Sequence, residues 1–166
     1  PIGLLAVEAA RAAGATDVLV ADVVAEKLAF AEEGGVDRAI DVTEEDLATV
    51  VDEYTNGVGA DVVIEASGAE PSIQSTLDGV RRGGTVVFVG LASEAEVPLD
   101  VLEIIDDELD VHGSFRYANT YDTAVDLLAD GEVDVERIID FESPLEDVDA
   151  AFRRSMEPEV VKGMIT

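Results

Sequence analysis

Short runs of aliphatic and β-branched residues alternate with helix-length segments along most of this chain. The runs at 17–21, 38–42, 61–65, 85–89 and 110–115 carry the strand pattern, and the segments at 2–13, 25–33, 44–54, 71–80 and 121–128 carry the helix pattern. Antiparallel strands can be joined by a two-residue turn, whereas parallel strands need a crossover of a dozen residues or so, usually a helix. The alternation therefore restricts the chain to the α/β class, as a doubly wound parallel sheet with helices on both faces. Gly14 and Gly34-Gly35 read as helix stops, Thr43 as the cap of the third helix and 56–59 as a loop; Arg82-Gly83-Gly84 reads as a turn into the next strand. The run at 61–65 reads as a buried strand. Beyond it, 144–154 reads as a helix and 160–165 as a strand that need not belong to the main sheet, which gives a main α/β domain at 1–143 and a C-terminal helix and strand at 144–166.

Charge narrows the partners. The 166 residues carry 38 acidic against 10 basic side chains, a formal net of −28. Nucleic acid and anionic membranes are bound through clustered Lys and Arg, so both are excluded as first expectations. The acids are spread through a well-patterned core sequence rather than gathered in a tail, so they form a solvated surface. At molar salt the Debye length falls to about 3 Å and their mutual repulsion is screened. The expected setting is thus a high-salt cytoplasm. Cysteine is absent, which excludes disulfides, a thiol nucleophile and a Cys-ligated zinc within the chain. No run reaches the roughly 18 apolar residues of a membrane span.

Ligands of parallel sheets bind beyond the carboxyl ends of the strands. Asp22 ends a strand there and stands 19 positions after Gly3. That is about the spacing at which a dinucleotide-binding fold places the acid that accepts both ribose hydroxyls and repels a 2′-phosphate, so Asp22 points to NAD over NADP. The same position also suits a plain helix cap. Lys27, one turn further, could reach the same ribose or lie on the surface. Pro1-Ile2-Gly3 reads as the tail of a G-x-G-P-I-G fingerprint, whose glycines permit a tight turn and close approach to a pyrophosphate. On that reading the first strand and the first two glycines are missing, although a native start stays open because Met before Pro is commonly trimmed.

The chain resembles the coenzyme domain of the zinc-dependent medium-chain dehydrogenases, and among them the sorbitol and xylitol (polyol) enzymes. The resemblance rests on Pro1-Ile2-Gly3-Leu4, on Val20-Ala21-Asp22 with Lys27-Leu28-Ala29, and on Ile64 through Gln74. It continues through Gly83-Gly84-Thr85, Val89-Gly90-Leu91 and Gly113 through Thr120, the stretch most like the polyol enzymes. It implies a Rossmann-like domain in which Ile2 and Gly3 meet the cofactor diphosphate while Asp22 and Lys27 hold the ribose. Backbone near Ser67, Gly68, Val89, Gly90 and Leu91 would flank the nicotinamide. Phe115 and Arg116 would stand at the mouth, with Arg116 and Tyr117 toward the substrate. An ion pair with a nearby acid is the other reading of Arg116, strand-end packing that of Phe115 and Tyr117, and an ordinary strand-to-helix turn that of Ser67-Gly68.

The resemblance also implies NAD as cofactor, hydride exchange with a small polyol or secondary alcohol, and a homo-oligomer formed along the edge strand at 110–115. Zinc would enter only through a catalytic domain, encoded ahead of this chain, with Cys, His and Glu ligands. No residue here is assigned a catalytic or metal-ligating role: His112 is the single histidine and sits in a strand, and Asp106-Asp107-Glu108 reads as a solvated face. By itself the chain is expected to be inactive and, lacking its central strand, marginal in stability. A threonine or sugar dehydrogenase of the same family, or a non-catalytic nucleotide-binding remnant, are the alternatives; a methyltransferase shares the Gly-rich loop and the acid but not the later motifs.

Overall fold

The computed structural model describes all 166 residues, Pro1–Thr166. They form two compact units, one of Pro1–Asp41 with Asn119–Thr166 and the other of Val42–Ala118.

The first unit opens with α1 (Ile2–Ala12). Its run of Ala and Leu loses little side-chain entropy on coiling, and it buries Leu4 and Val7. It ends at Gly14, whose φ of +98° suits glycine. Arg11 secures that end by donating to the carbonyls of Ala15 at 3.2 Å and Thr16 at 2.6 Å. Strand β1 (Leu19–Asp22), helix α2 (Ala25–Glu33) and strand β2 (Arg38–Asp41) follow as one right-sized βαβ unit. The strands are parallel, with Leu19 opposite Arg38 and Asp22 opposite Asp41. Leu4, Ala31, Ile138 and Val161 form the core of this unit, with Val20, Phe30 and Val36 packed against it.

The second unit runs through α3 (Leu47–Thr55), β3 (Ala60–Glu65), α4 (Glu70–Gly79), β4 (Val80–Phe88), α5 (Val101–Asp106) and β5 (Asp110–Gly113). Its sheet has the order β3-β4-β5, parallel throughout. Leu77, Val80 and Val86 form the core, joined by Val63, Phe88, Leu99, Ile104 and Leu109.

The remainder of the first unit holds α6 (Tyr121–Ala129), β6 (Phe141–Ser143), α7 (Val148–Arg154) and β7 (Gly163–Ile165). The last strand pairs in parallel with β6 as a separate two-stranded sheet, in line with the expectation that it need not belong to the main sheet. Asp140 fastens it: its carboxylate accepts from the N–H groups of Val161 and Lys162, and its own N–H donates to the Lys162 carbonyl at 2.8 Å.

The structure corrects several local expectations. Helix α3 starts at Leu47 rather than near Glu44, because its cap is Asp46 and not Thr43: the Asp46 carboxylate accepts from the Thr49 N–H at 2.9 Å and hydroxyl at 2.7 Å. Arg82-Gly83-Gly84 is a bulge inside β4 rather than a turn before it. The register jumps from Ala60 opposite Val80 to Val62 opposite Thr85. Arg81 and Arg82 leave the ladder there to pair with Asp61 and Asp107 at 2.6 and 2.7 Å. The segment expected as one helix over 144–154 is a 3₁₀ turn, Leu145–Asp147, followed by α7. Strand β3 is buried on one face only. Val63 joins the core, while the alternate residues Val62 and Ile64 are 53% and 39% exposed. Helix α5 and strand β6 were not foreseen.

Candidate functional site

In the first unit, Asp22 closes β1 and its Oδ1 accepts from the N–H groups of Val23 and Val24 at 2.8 and 3.0 Å. The capping reading of this acid is not met: α2 begins after Val24 and has no side-chain cap, and Asp22 instead closes the turn that leads into the helix. These turn bonds fix the carboxylate at the strand's carboxyl end through Oδ1 and leave Oδ2 as an acceptor. Ile2 and Gly3 begin α1 and are exposed. No side chain caps that helix start, so its first N–H groups remain as donors at the positive end of the helix dipole. Lys27 and Lys162 both lie within electrostatic reach of this helix start, opposed there by Asp22 and Asp140. They are the only lysines in the chain. The sequence reading included Lys27 and missed Lys162, although in so Lys-poor a chain each lysine was a signal in itself.

In the second unit, the carboxyl ends of β3 and β4 carry the other candidates. Ser67 and Gly68 follow β3, and Val89, Gly90 and Leu91 follow β4. The two loops pack backbone against backbone. A Cβ on Gly68, whose φ is +74°, would collide with the Leu91 carbonyl, and one on Gly90 would collide with the Gly68 nitrogen. Such contact between loops is open only to glycine, and it brings together two segments that the sequence reading had paired by resemblance alone. Beneath them lies Glu65, 2% exposed. Burial works against its charge, yet hydrogen bonds from Ser67, Ser72 and Gly68 outweigh that penalty and hold the carboxyl below the ordinary carboxylate range. The sequence reading quoted Glu65 within a motif but gave it no role.

Phe115, Arg116 and Tyr117 follow β5 and are exposed. Arg116 adopts φ +61° and places its guanidinium 4.8 Å from the Phe115 ring centroid. This is a cation–π contact, not the ion pair that the neighbouring acids suggested. Strand-end packing does not account for Phe115 or Tyr117, since their relative exposures are 61% and 65%.

Comparison with known proteins identifies the family. Residues 1–130 match the model of the zinc-binding dehydrogenase family. The chain belongs to that family. Its sequence is 40% identical over 157 residues to sorbitol dehydrogenase of Bacillus subtilis, covering 95% of this chain and 44% of that protein. Among solved structures, the alcohol dehydrogenase TADH from Thermus sp. ATN1 superposes with a TM-score of 0.92 at 30% identity, over 100% of this chain and 48% of that one. A Sinorhizobium meliloti protein classed as a zinc-binding dehydrogenase and solved bound to NADP gives a TM-score of 0.89 at 32% identity, over 99% and 49%. This zinc-binding dehydrogenase chain thus spans about half the length of the relatives it matches, and the matching half has the Rossmann-like architecture of a coenzyme domain.

The family's metal does not fit the residues present. No three His, Cys, Asp or Glu side chains are grouped so as to hold an ion, there is no cysteine, and His112 stands exposed on β5 opposite Val87. No chemical step is therefore derived through zinc on this chain. No helix is long and apolar enough to cross a membrane.

Proposed function

We propose that this chain is the NAD-binding portion of a zinc-dependent oxidoreductase that transfers a hydride between a small polyol or secondary alcohol and the nicotinamide. The observation that carries the reading is the glycine-only contact of the Ser67–Gly68 and Val89–Leu91 loops at the ends of adjacent parallel strands. Parallel sheets bind their ligands at that end. The cofactor supplies the two-electron chemistry, and the protein supplies orientation.

In this reading the uncapped start of α1, at Ile2 and Gly3, donates N–H groups to the diphosphate, and Lys27 and Lys162 add positive charge there. Asp22 accepts the ribose hydroxyls through Oδ2 and, by repelling a 2′-phosphate, favours NAD over NADP. The two glycine loops present flat backbone to the nicotinamide ring. Phe115 and Arg116 exclude water from the mouth, and Tyr117 offers a phenol to a substrate hydroxyl. The relatives' polyol substrates support the substrate class, and Phe115-Arg116-Tyr117 is the stretch that carries it. Residues 144–166 lead toward the catalytic half, which brings the metal site, so turnover belongs to the complete enzyme. The exposed edge strand β5 is the surface assigned to self-association. A net charge of −28 with two lysines supports a salt-rich cytoplasm as the working medium.

The test is to titrate the full natural chain with NADH and NADPH and then to assay it against a panel of polyols, secondary alcohols, threonine and sugars. Tighter NADH binding with polyol oxidation is expected. Binding of neither nucleotide overturns the reading, and binding without turnover on any substrate reduces it to a nucleotide-binding module.

A further inference from the structure

We infer that Glu65 is a positioning residue for the nicotinamide side of the cofactor, acting through the backbone of the Ser67–Gly68 and Val89–Leu91 loops. The inference rests on the dinucleotide reading above.

A carboxylate this deeply buried is costly unless its acceptor sites are filled. At Glu65 they are filled without any basic side chain. Oε1 accepts from the Ser67 N–H at 2.8 Å, the Ser67 hydroxyl at 2.6 Å, the Gly68 N–H at 3.0 Å and the Ser72 hydroxyl at 2.9 Å. Oε2 shares the Gly68 N–H at 3.1 Å. The main chain of the same residue holds the other loop, because the Glu65 carbonyl accepts from the N–H groups of Val89 at 2.8 Å and Gly90 at 3.0 Å. Side chain and backbone of one residue therefore set two loops at once. A Cβ on Gly90 would also strike Glu65 Oε2, so the carboxylate sits at the seam between them.

This arrangement orients the peptides as well as tethering them. In a planar trans peptide the N–H and C=O point in opposite directions. The Ser67 and Gly68 N–H groups face inward to Glu65, so the carbonyls of Ala66 and Ser67 face away from it. The same holds for Val89, whose carbonyl shares a peptide with the Gly90 N–H. Three acceptors are thereby turned outward at the strand ends, the chemistry that meets a carboxamide N–H donor. Rate and affinity at such a site depend on placement, since a misplacement of about 1 Å can cost roughly 100-fold.

The test uses the full natural chain and two probes, NADH and ADP-ribose, which lacks the nicotinamide. Glu65→Gln keeps the shape but puts an amide NH₂ against inward-pointing N–H groups; Ser72→Ala removes one donor and serves if the first variant fails to fold. Isothermal calorimetry should show NADH binding weakened at least ten-fold by Glu65→Gln and several-fold by Ser72→Ala. ADP-ribose binding should stay within two-fold of the parent for both. A merely structural glutamate would lower the melting temperature while leaving the two ligands' affinities in their original ratio. That result, or NADH binding unchanged in a folded variant, overturns the assignment. If the parent binds neither probe, the dinucleotide reading itself falls and takes this inference with it.

Discussion

Arg137 donates through Nε and Nη2 to a single oxygen of Glu8, 3.3 and 2.8 Å away, and so joins residues 129 positions apart within one unit. Both side chains are largely buried, at 25% and 15% exposure. The same guanidinium stands 5.3 Å from the Phe30 ring centroid and fills the space where a Cβ on Gly34 would go. Helices α1 and α2 and the 3₁₀ turn Glu136–Ile138 therefore share one cation.

Replacing Arg137 with Ala leaves the Glu8 carboxylate half-desolvated without a donor. Removing one partner of a buried pair is costly, and for this partly exposed pair the expected loss is about 2 kcal/mol. In a chain of this size that corresponds to a fall in melting temperature of roughly 4–8 °C, to be read by circular dichroism. Arg137→Lys keeps the charge but loses the planar stacking, and should fall between the two.

Asp22→Ser tests the cofactor preference. The shorter hydroxyl can still accept from the turn N–H groups of Val23 and Val24, but it no longer repels a 2′-phosphate. Binding titrations should show NADH weakened by about ten-fold, or ~1.4 kcal/mol, and NADPH strengthened. Unchanged affinities for both nucleotides would remove Asp22 from the ribose site.

Acid pH should act on the carboxylates in two opposite ways. Asp37 is held below the ordinary carboxylate range by the Val18 N–H first and then by Arg11, and Asp46 by the Thr49 hydroxyl and then its N–H. Together with Glu65 these groups stabilise the fold fully above about pH 4.5, the ordinary carboxylate range. Their contribution is lost as pH falls through the lower folded values. Glu103 is pushed upward, by burial first and then by Asp78, Asp100 and Asp107. Its charge weakens the fold above that raised value, and the penalty disappears as pH falls and Glu103 takes up a proton. Glu103→Gln should therefore raise the melting temperature at neutral pH, with the gain vanishing below the ordinary carboxylate range and shrinking in molar KCl.

Salt should stabilise the parent protein. Screening 38 acids against 10 bases relieves self-repulsion. Melting curves between low salt and 2 M KCl are expected to rise by about 10 °C, equivalent to some 3 kcal/mol in a chain this long. A flat series would separate the acidic surface from any adaptation to salt.

What could be read from the residues depended on how local the cause was. Helix α2 keeps its expected bounds because Gly34-Gly35 stops it wherever it packs, and α1 ends as expected for the same reason. The place of Asp22 at the end of a strand was legible because the short apolar run before it is a local signal. Helix α5 was hidden, since its six residues lie in an acidic stretch and depend on Asp100, whose carboxylate caps the N–H groups of Leu102 and Glu103. Strand β6 has three residues and exists only because β7 returns to pair with it. The bulge at Arg81–Gly84 required knowing that Asp61 and Asp107 would be in reach. Glu65 escaped notice because a lone acid ending a strand says nothing of the four donors that later gather around its carboxylate.

Every strand pair in this molecule is parallel, and this bears on how the chain acquires its shape. No hairpin can form early and act as a template, because each pairing must first close a loop that contains a helix, and loop closure costs entropy before any ladder bond offsets it. Renaturation is then gated by helices that have little stability alone, with the sheets condensing only after those helices have docked. A slow, helix-first time course is what such a wiring diagram dictates.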